Sequence, residues 1–290
     1  MHRFLKAIGF SHIQKRDLEL ILNEVVEHPD SMKVTRDSEE REFAEFTKEF
    51  AKNVGIKVRG FYDEEDVFHM EYYFPYAKAD KITTMEIVQI ERYAEKEAYA
   101  GSCDEVHLGV ALIFYLQNAV DFLEKDRHTI QDAKVRAVCL SGLSVEGKII
   151  LPVDNCMPAR IKTNEKYEER IQLMSQVRDG SEEAIESLTA QDVELYSTIS
   201  KRITKEDVFS IVSSTFMPYS IESDQYSILG EIVGIEEHQN ILTEERLYTL
   251  TLNTNNLIFN ITINRSHLLG EPEIGRRFKG YIWMQGTLCL

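Results

Sequence analysis

Near the start of the chain the apolar positions recur at helical spacing. Leu18, Ile21, Leu22 and Val25 stand at i, i+3, i+4 and i+7, which places them on one helix face. Ser11 precedes Gln14 by three residues. This is the capping-box arrangement, in which each side chain satisfies the other residue's orphan backbone donor, so the helix is expected to start there. After the His28-Pro29-Asp30-Ser31 break, Asp37 and Glu40 predict a second helix start. Phe43, Phe46 and Phe50 then give that helix an aromatic stripe suited to core packing.

From Ile56 to about Val153 the period changes to two, with many β-branched and aromatic residues. Strands are expected at Ile56–Tyr62 and Val67–Phe74, joined by the acidic turn Asp63-Glu64-Glu65-Asp66. Further strands are expected at Met85–Ala100, His107–Leu116, Lys134–Val145 and Lys148–Leu151, the last two joined by a Glu146-Gly147 hairpin turn. Short turns between consecutive strands imply an antiparallel sheet.

From about Ile161 the period is helical again. Tyr167, Ile171 and Met174 line one face, Gly180 ends that helix, and Ser181, Thr189 and Thr204 each stand where a hydroxyl could cap a new helix. From about Tyr226 alternation returns. Ser227–Ile235 reads as a strand bent at Gly230 and Gly234. Leu247–Leu252 and Leu257–Ile263 carry matched apolar faces about the turn Asn253-Thr254-Asn255-Asn256. Arg276–Leu290 reads as a long last strand. The expectation is an α+β protein. N-terminal helices lie on an antiparallel sheet over residues 1–160, and a helical connector spans 161–224. A small β-barrel-like unit, OB-like or SH3-like, occupies 225–290.

Composition narrows the function classes. The 290 residues are 43% hydrophobic and 28% charged, too apolar for intrinsic disorder. The net charge is −16, which opposes binding of nucleic acid or an anionic membrane by the chain as a whole. From Tyr226 onward there are 7 acidic and 5 basic residues, so the excess lies upstream and the tail is nearly neutral. The longest apolar run, Gly109–Leu116, is far short of the roughly 20 residues a spanning helix needs. The opening MHRFLKAIGFSHIQKRD, broken by Arg3 and Lys6, does not read as a secretory signal. Cys103, Cys139, Cys156 and Cys289 form no C-x-x-C pair and read as free thiols in a reducing compartment. A cytoplasmic location, with no membrane association, follows as the expectation.

Several segments together carry a resemblance. They are MHRFLKAIGFS, ERYAEKEAYAG, GVALIFYLQN, SVEGKIILPV and EAIESLTAQD, with YSILGEI and LLGEPEIGRRFKGYIWMQG in the tail. The chain resembles, over essentially its whole length, a bacterial domain-of-unknown-function family from anaerobic Gram-positive organisms. The resemblance implies a soluble bacterial protein and transfers no catalytic residue.

Candidate chemistry is sparse. Ser144 fails the G-x-S-x-G spacing of a nucleophile elbow and sits in a strand pattern. Cys103 and His107, four apart, could ligate a metal with His69 and Glu71, or pair as nucleophile and base, but the local sequence reads as a loop entering a strand. No metal or other cofactor is expected. Glu91, Glu95 and Glu97 fall on one side of an extended segment, as an acid–base set would or as the wet face of a sheet would. In the last strand Phe278, Gly280, Ile282 and Met284 suit a barrel interior. Arg277, Lys279, Tyr281 and Trp283 alternate with them as a basic–aromatic ladder. Such a ladder can hold phosphate and stack a ring, or it can dock on the acidic remainder of the chain. The expected function is therefore a non-enzymatic binding or regulatory protein whose partner is another protein. The alternatives are an enzyme assembled from the scattered carboxylates, Cys103 and His107, and nucleotide or single-strand nucleic-acid binding by the C-terminal β unit.

Overall fold

A computed structural model describes residues 1–37, 40–93, 96–105, 108, 110–126, 137–152, 169, 172–174, 176–177, 180–191, 212, 214–220 and 223–289. It opens with a 3-10 turn, Arg3–Ile8, and the helix α1, Lys15–Glu27. A four-stranded antiparallel meander follows: β1 (Ser31–Arg36), β2 (Glu42–Ala51), β3 (Val54–Tyr62) and β4 (Phe68–Ala77). Next come β5 (Val88–Arg92), β6 (Tyr99–Glu105), β7 (Val110–Leu116), the helix α2 (Ala119–Asp126) and β8 (Val138–Ile150). After a helix over residues 182–191 the strands resume. They are β9 (Thr215–Pro218), β10 (Gln225–Gln239), β11 (Arg246–Thr254), β12 (Leu257–Asn264), β13 (Leu268–Leu269) and β14 (Arg277–Leu288).

The second sheet runs β13-β8-β12-β11-β10-β14-β7-β6-β5, and an additional β8–β14 ladder closes β8, β12, β11, β10 and β14 into a five-stranded barrel. The pairing is mixed, because β8 runs parallel to β12 and β7 parallel to β14. A barrel was expected within 225–290, yet the ring closes only through β8, from the other side of residues 161–224. Phe278, Ile282 and Met284 are fully buried inside it, with Leu250, Leu252, Phe259 and Ile261 from the hairpin. The hairpin forms as its alternation predicts. Asn255 and Asn256 both take positive φ, the two-residue turn that strand twist favours.

Several expectations are corrected. Residues 42–51 are not a helix but β2. Both faces of this strand are covered: Ala44 and Phe46 lie in the core beneath α1, and Phe43 and Glu45 are buried on the opposite face. Two-sided burial erases period two, so three phenylalanines imitate a helical stripe. The segment 85–100 is two strands with a reversal, since Tyr93 N–H donates to the Ala98 carbonyl. Glu146-Gly147 is no turn; β8 runs straight through it, and neither residue has positive φ.

Ser11 does not cap α1. Gln14 stands at the cap without a side-chain bond, while the Ser11 N–H donates to Glu245 Oε1 and the Asn264 amide donates to the Ser11 hydroxyl. Ser181 does cap, accepting from Ala184 N–H after Gly180 ends the preceding turn at φ 86°. Thr189 lies inside the helix over 182–191 and donates to the Ile185 carbonyl, so it caps nothing. Thr204, Tyr167 and Ile171 lie outside the described residues. Among the described residues no helix is long and apolar enough to cross a membrane.

A second core joins the meander to the outer wall of the barrel. From the barrel's sheet it takes Leu143, Leu247, Trp283 and Tyr115 of β7; from the other side it takes Phe4, Leu22 and Phe74. His2 caps this core, its ring 4.9 Å from that of Trp283. Burial lowers the His2 pKa to about 4. A His held low stabilises the fold only while neutral. Its contribution is whole above about pH 6.5, the unfolded value, and is lost as pH falls toward 4. His2→Gln is therefore expected to flatten the decline in urea midpoint between pH 6.5 and 4.5. An unchanged slope would contradict this reading of the site.

Candidate functional site

Three strands of the barrel, β8, β14 and β10, share an outer face that opens into a shallow groove of about 360 Å³. Its walls include Lys148, Lys279, Tyr281, Ser227, Leu269 and Glu146. Strand register builds it. Lys279 stands directly opposite Lys148 on β8, and Tyr281 directly opposite Ser227 on β10. Leu269 of β13 pairs beside Lys148.

Two local features shape the groove. Gly280 lies opposite Gly147, while Ile282 lies opposite Ser144, so two residues of β8 face the single Tyr281. This bulge turns the strand locally and aims the tyrosine outward. The Ser144 hydroxyl, buried beneath, has the Tyr281 and Glu146 carbonyls within reach of its one proton, at 2.8 and 2.9 Å, and holds the bulge. The floor is glycine by necessity. A Cβ on Gly147 would stand 2.3 Å from the Phe278 ring, whose volume fills the barrel below.

Two lysines and one glutamate border the groove. Lys148 and Lys279 are like charges in a directly opposed cross-strand pair, an arrangement that costs stability. The Lys279 pKa is lowered, first by burial and then by Lys148. Tyr281 is 43% exposed and meets the exposed Tyr219 edge-on, ring centroids 5.5 Å apart at 90°. Cation, hydroxyl, flat ring and apolar Leu269 thus border one space.

The structure divides the basic–aromatic ladder. Lys279 and Tyr281 come together in the groove. Arg277 is buried. Its guanidinium donates to the Leu151 carbonyl through Nε and Nη2, and to the Val212 carbonyl through Nη1 at 2.7 Å. It thereby clamps both ends of the segment between β8 and β9. Trp283 is buried against Phe4 and Tyr115, and its Nε1–H donates to Asp224 Oδ2 at 2.7 Å. A base could stack on it only if those partners left.

The other candidates do not converge. Glu91 is exposed on β5, whereas Glu97 is buried and accepts a hydrogen bond from the Tyr99 hydroxyl. Cys103 is buried, and burial with Glu105 nearby pushes its thiol up to about 12, far from a thiolate at neutral pH. His69 pairs with Asp63 in the exposed acidic turn. Glu95 and His107 lie outside the described residues. Among the described residues no group of three or more His, Cys, Asp or Glu is placed to hold a metal.

Sequence reasoning missed Lys148, Ser227, Leu269 and Tyr219, because only long-range register brings them to Lys279. It also missed a buried polar cluster between the sheets. Arg59 Nε and Lys57 Nζ each donate to Glu45 at 2.6 Å, and Arg59 Nη2 donates to the Gln117 carbonyl. Tyr72 receives Arg59 Nη1 and donates to the Glu97 carbonyl. The available signal was Glu45 on β2 with Lys57 and Arg59, two residues apart on one face of the next strand.

Comparison with known protein families gives a match. The family described as "Domain of unknown function, E. rectale Gene description (DUF3881)" matches residues 5–286. No curated protein and no solved structure matches the chain.

Proposed function

We propose that this chain, which belongs to the DUF3881 family, is a cytoplasmic, non-enzymatic binding protein. Its barrel groove takes a small ligand that joins an anionic group, such as phosphate, to a flat ring. The carrying observation is the opposed Lys148–Lys279 pair beside the outward-aimed Tyr281. The two ammonium groups can take an anionic group, and the adjoining tyrosine offers the ring a stacking surface. Ser227 can hydrogen-bond the ligand, and Glu146 disfavours a second negative charge at the far end. The scattering of Glu91, Glu97 and Cys103 supports the non-enzymatic reading. We read the barrel as OB-like or SH3-like on three features: the long bent β10, the tight β11–β12 hairpin, and the 3-10 turn Arg265–His267 ahead of the last strand.

Calorimetric titration with adenosine monophosphate, adenosine and inorganic phosphate tests this. The nucleotide is expected to bind more tightly than either fragment and to weaken as salt rises. Lys148→Ala with Lys279→Ala should weaken it at least tenfold, about 1.4 kcal/mol, and Tyr281→Ala by a similar factor. No heat with any of the three compounds, or full binding by both variants, would overturn the proposal. A short single-stranded oligonucleotide in the same series tests the nucleic-acid alternative, which here would have to proceed without Trp283.

A further inference from the structure

We propose that Cys139 and Cys289 form a thiol–disulfide exchange site that reversibly staples the end of β14 to the start of β8. The two residues are 150 positions apart in sequence, yet their sulfurs lie 3.5 Å from one another. Backbone pairing holds them there. Cys139 is the second residue of β8 and pairs with Thr287, and the Cys289 N–H donates to the Ala137 carbonyl at 3.0 Å. A disulfide needs the sulfurs at about 2.05 Å, so the two must close by roughly 1.5 Å for the bond to form.

The two thiols differ in access. Cys289 is exposed and Cys139 buried. Burial, with Cys289 beside it, pushes the Cys139 thiol up to about 12. Cys289 is therefore the entry thiol and Cys139 the resolving one. The co-reactant is a small-molecule disulfide, R–S–S–R. Cys289 Sγ, deprotonated, attacks one of its sulfurs; the R–S–S–R bond breaks, RS⁻ leaves, and a mixed disulfide forms on Cys289. Cys139 Sγ, losing its proton, then attacks Cys289 Sγ and expels the second RS⁻. The two cysteines give up two electrons and two protons, and the small disulfide becomes two thiols. Excess thiol reverses both steps.

The bond lies where β14 lines the barrel wall opposite β8, so oxidation fastens the seam that closes the ring. It also closes a long loop in the unfolded chain, which raises resistance to unfolding.

The test is incubation of the full chain with oxidised glutathione, followed by alkylation of remaining thiols and peptide mapping under non-reducing conditions. The expected product is a peptide pair linked through Cys139 and Cys289, with a higher urea midpoint that returns to its starting value with dithiothreitol. Cys139→Ser should instead accumulate glutathione on Cys289. Cys289→Ser, at an exposed position, should give neither the linkage nor the shifted midpoint. A glutathione adduct that persists on Cys289 of the unaltered chain, a dominant linkage through Cys103 or Cys156, or no reaction at Cys289 would each overturn the proposal.

Discussion

Glu45→Ala is expected to lower folding stability by about 3–5 kcal/mol, read as a reduced urea midpoint with an unchanged slope. The carboxylate is buried between the two sheets, directly opposite Arg59 in the β2–β3 ladder, with Lys57 on its other oxygen. Removing it strands two buried cations in a place where Gln117 and Tyr72 offer only neutral acceptors. The loss then exceeds the net worth of the ion pair, because the desolvation already incurred by Arg59 and Lys57 is no longer offset. Replacing Glu45, Lys57 and Arg59 together by Leu, Met and Met should cost clearly less than Glu45→Ala alone. A single variant no worse than the triple one would show that the cluster is not held by charge. The same site sets an acid limit. Burial by itself would raise the Glu45 pKa, but Lys57 and Arg59 override it and hold the carboxyl below its ordinary value. Its contribution is present above the usual carboxylate range and is lost as pH falls through that lowered value.

Trp283→Ala is expected to cost a comparable amount, about 3–5 kcal/mol. The indole fills the joint between meander and barrel, touching the rings of His2, Phe4 and Tyr115. Its deletion leaves a large cavity in a core assembled from both sheets. It also strips Asp224 of its indole partner. Burial raises the Asp224 pKa, and the Trp283 N–H pulls it back. Trp283→Phe keeps much of the ring contact but not the donor, so it should cost less, about 1–3 kcal/mol. Because Trp283 is the sole tryptophan, the unaltered protein should show the blue-shifted emission of a buried indole. Emission at the position of free tryptophan in water would contradict its place in the joint. Nucleotide binding by Trp283→Phe should remain close to that of the unaltered chain, since the groove is made by Lys148, Lys279 and Tyr281.

Parts of this arrangement were legible beforehand, and they share a cause. The face of α1 and the alternating apolar residues of the β11–β12 hairpin are buried on one side, and Phe278, Ile282 and Met284 of β14 keep the same alternation although Arg277 and Trp283 on its other face are buried too. One-sided burial imposes a period that the local sequence records. The phenylalanines of β2 misled because that strand is covered twice. Glu146-Gly147 misled because a glycine demanded by the Phe278 ring looks, in sequence, like a glycine demanded by a turn. The site was half legible. Lys279 and Tyr281 share a strand and its outer face, so alternation alone paired them. Arg277 and Trp283 share that alternation, but their burial depends on what lies across from each, and alternation carries no information about that.

The amino-acid sequence by itself determined the buried face of α1, the inward residues of β11, β12 and β14, and the reversal at Asn255-Asn256. These are local matters of periodicity and turn chemistry. Only the tertiary structure decided that β8 completes a barrel begun some 75 residues later, that Lys148 meets Lys279, that Cys139 meets Cys289 and that Trp283 is packed away. Each depends on the register between strands distant in sequence. That register is set by the summed packing of two cores, so no single segment encodes it.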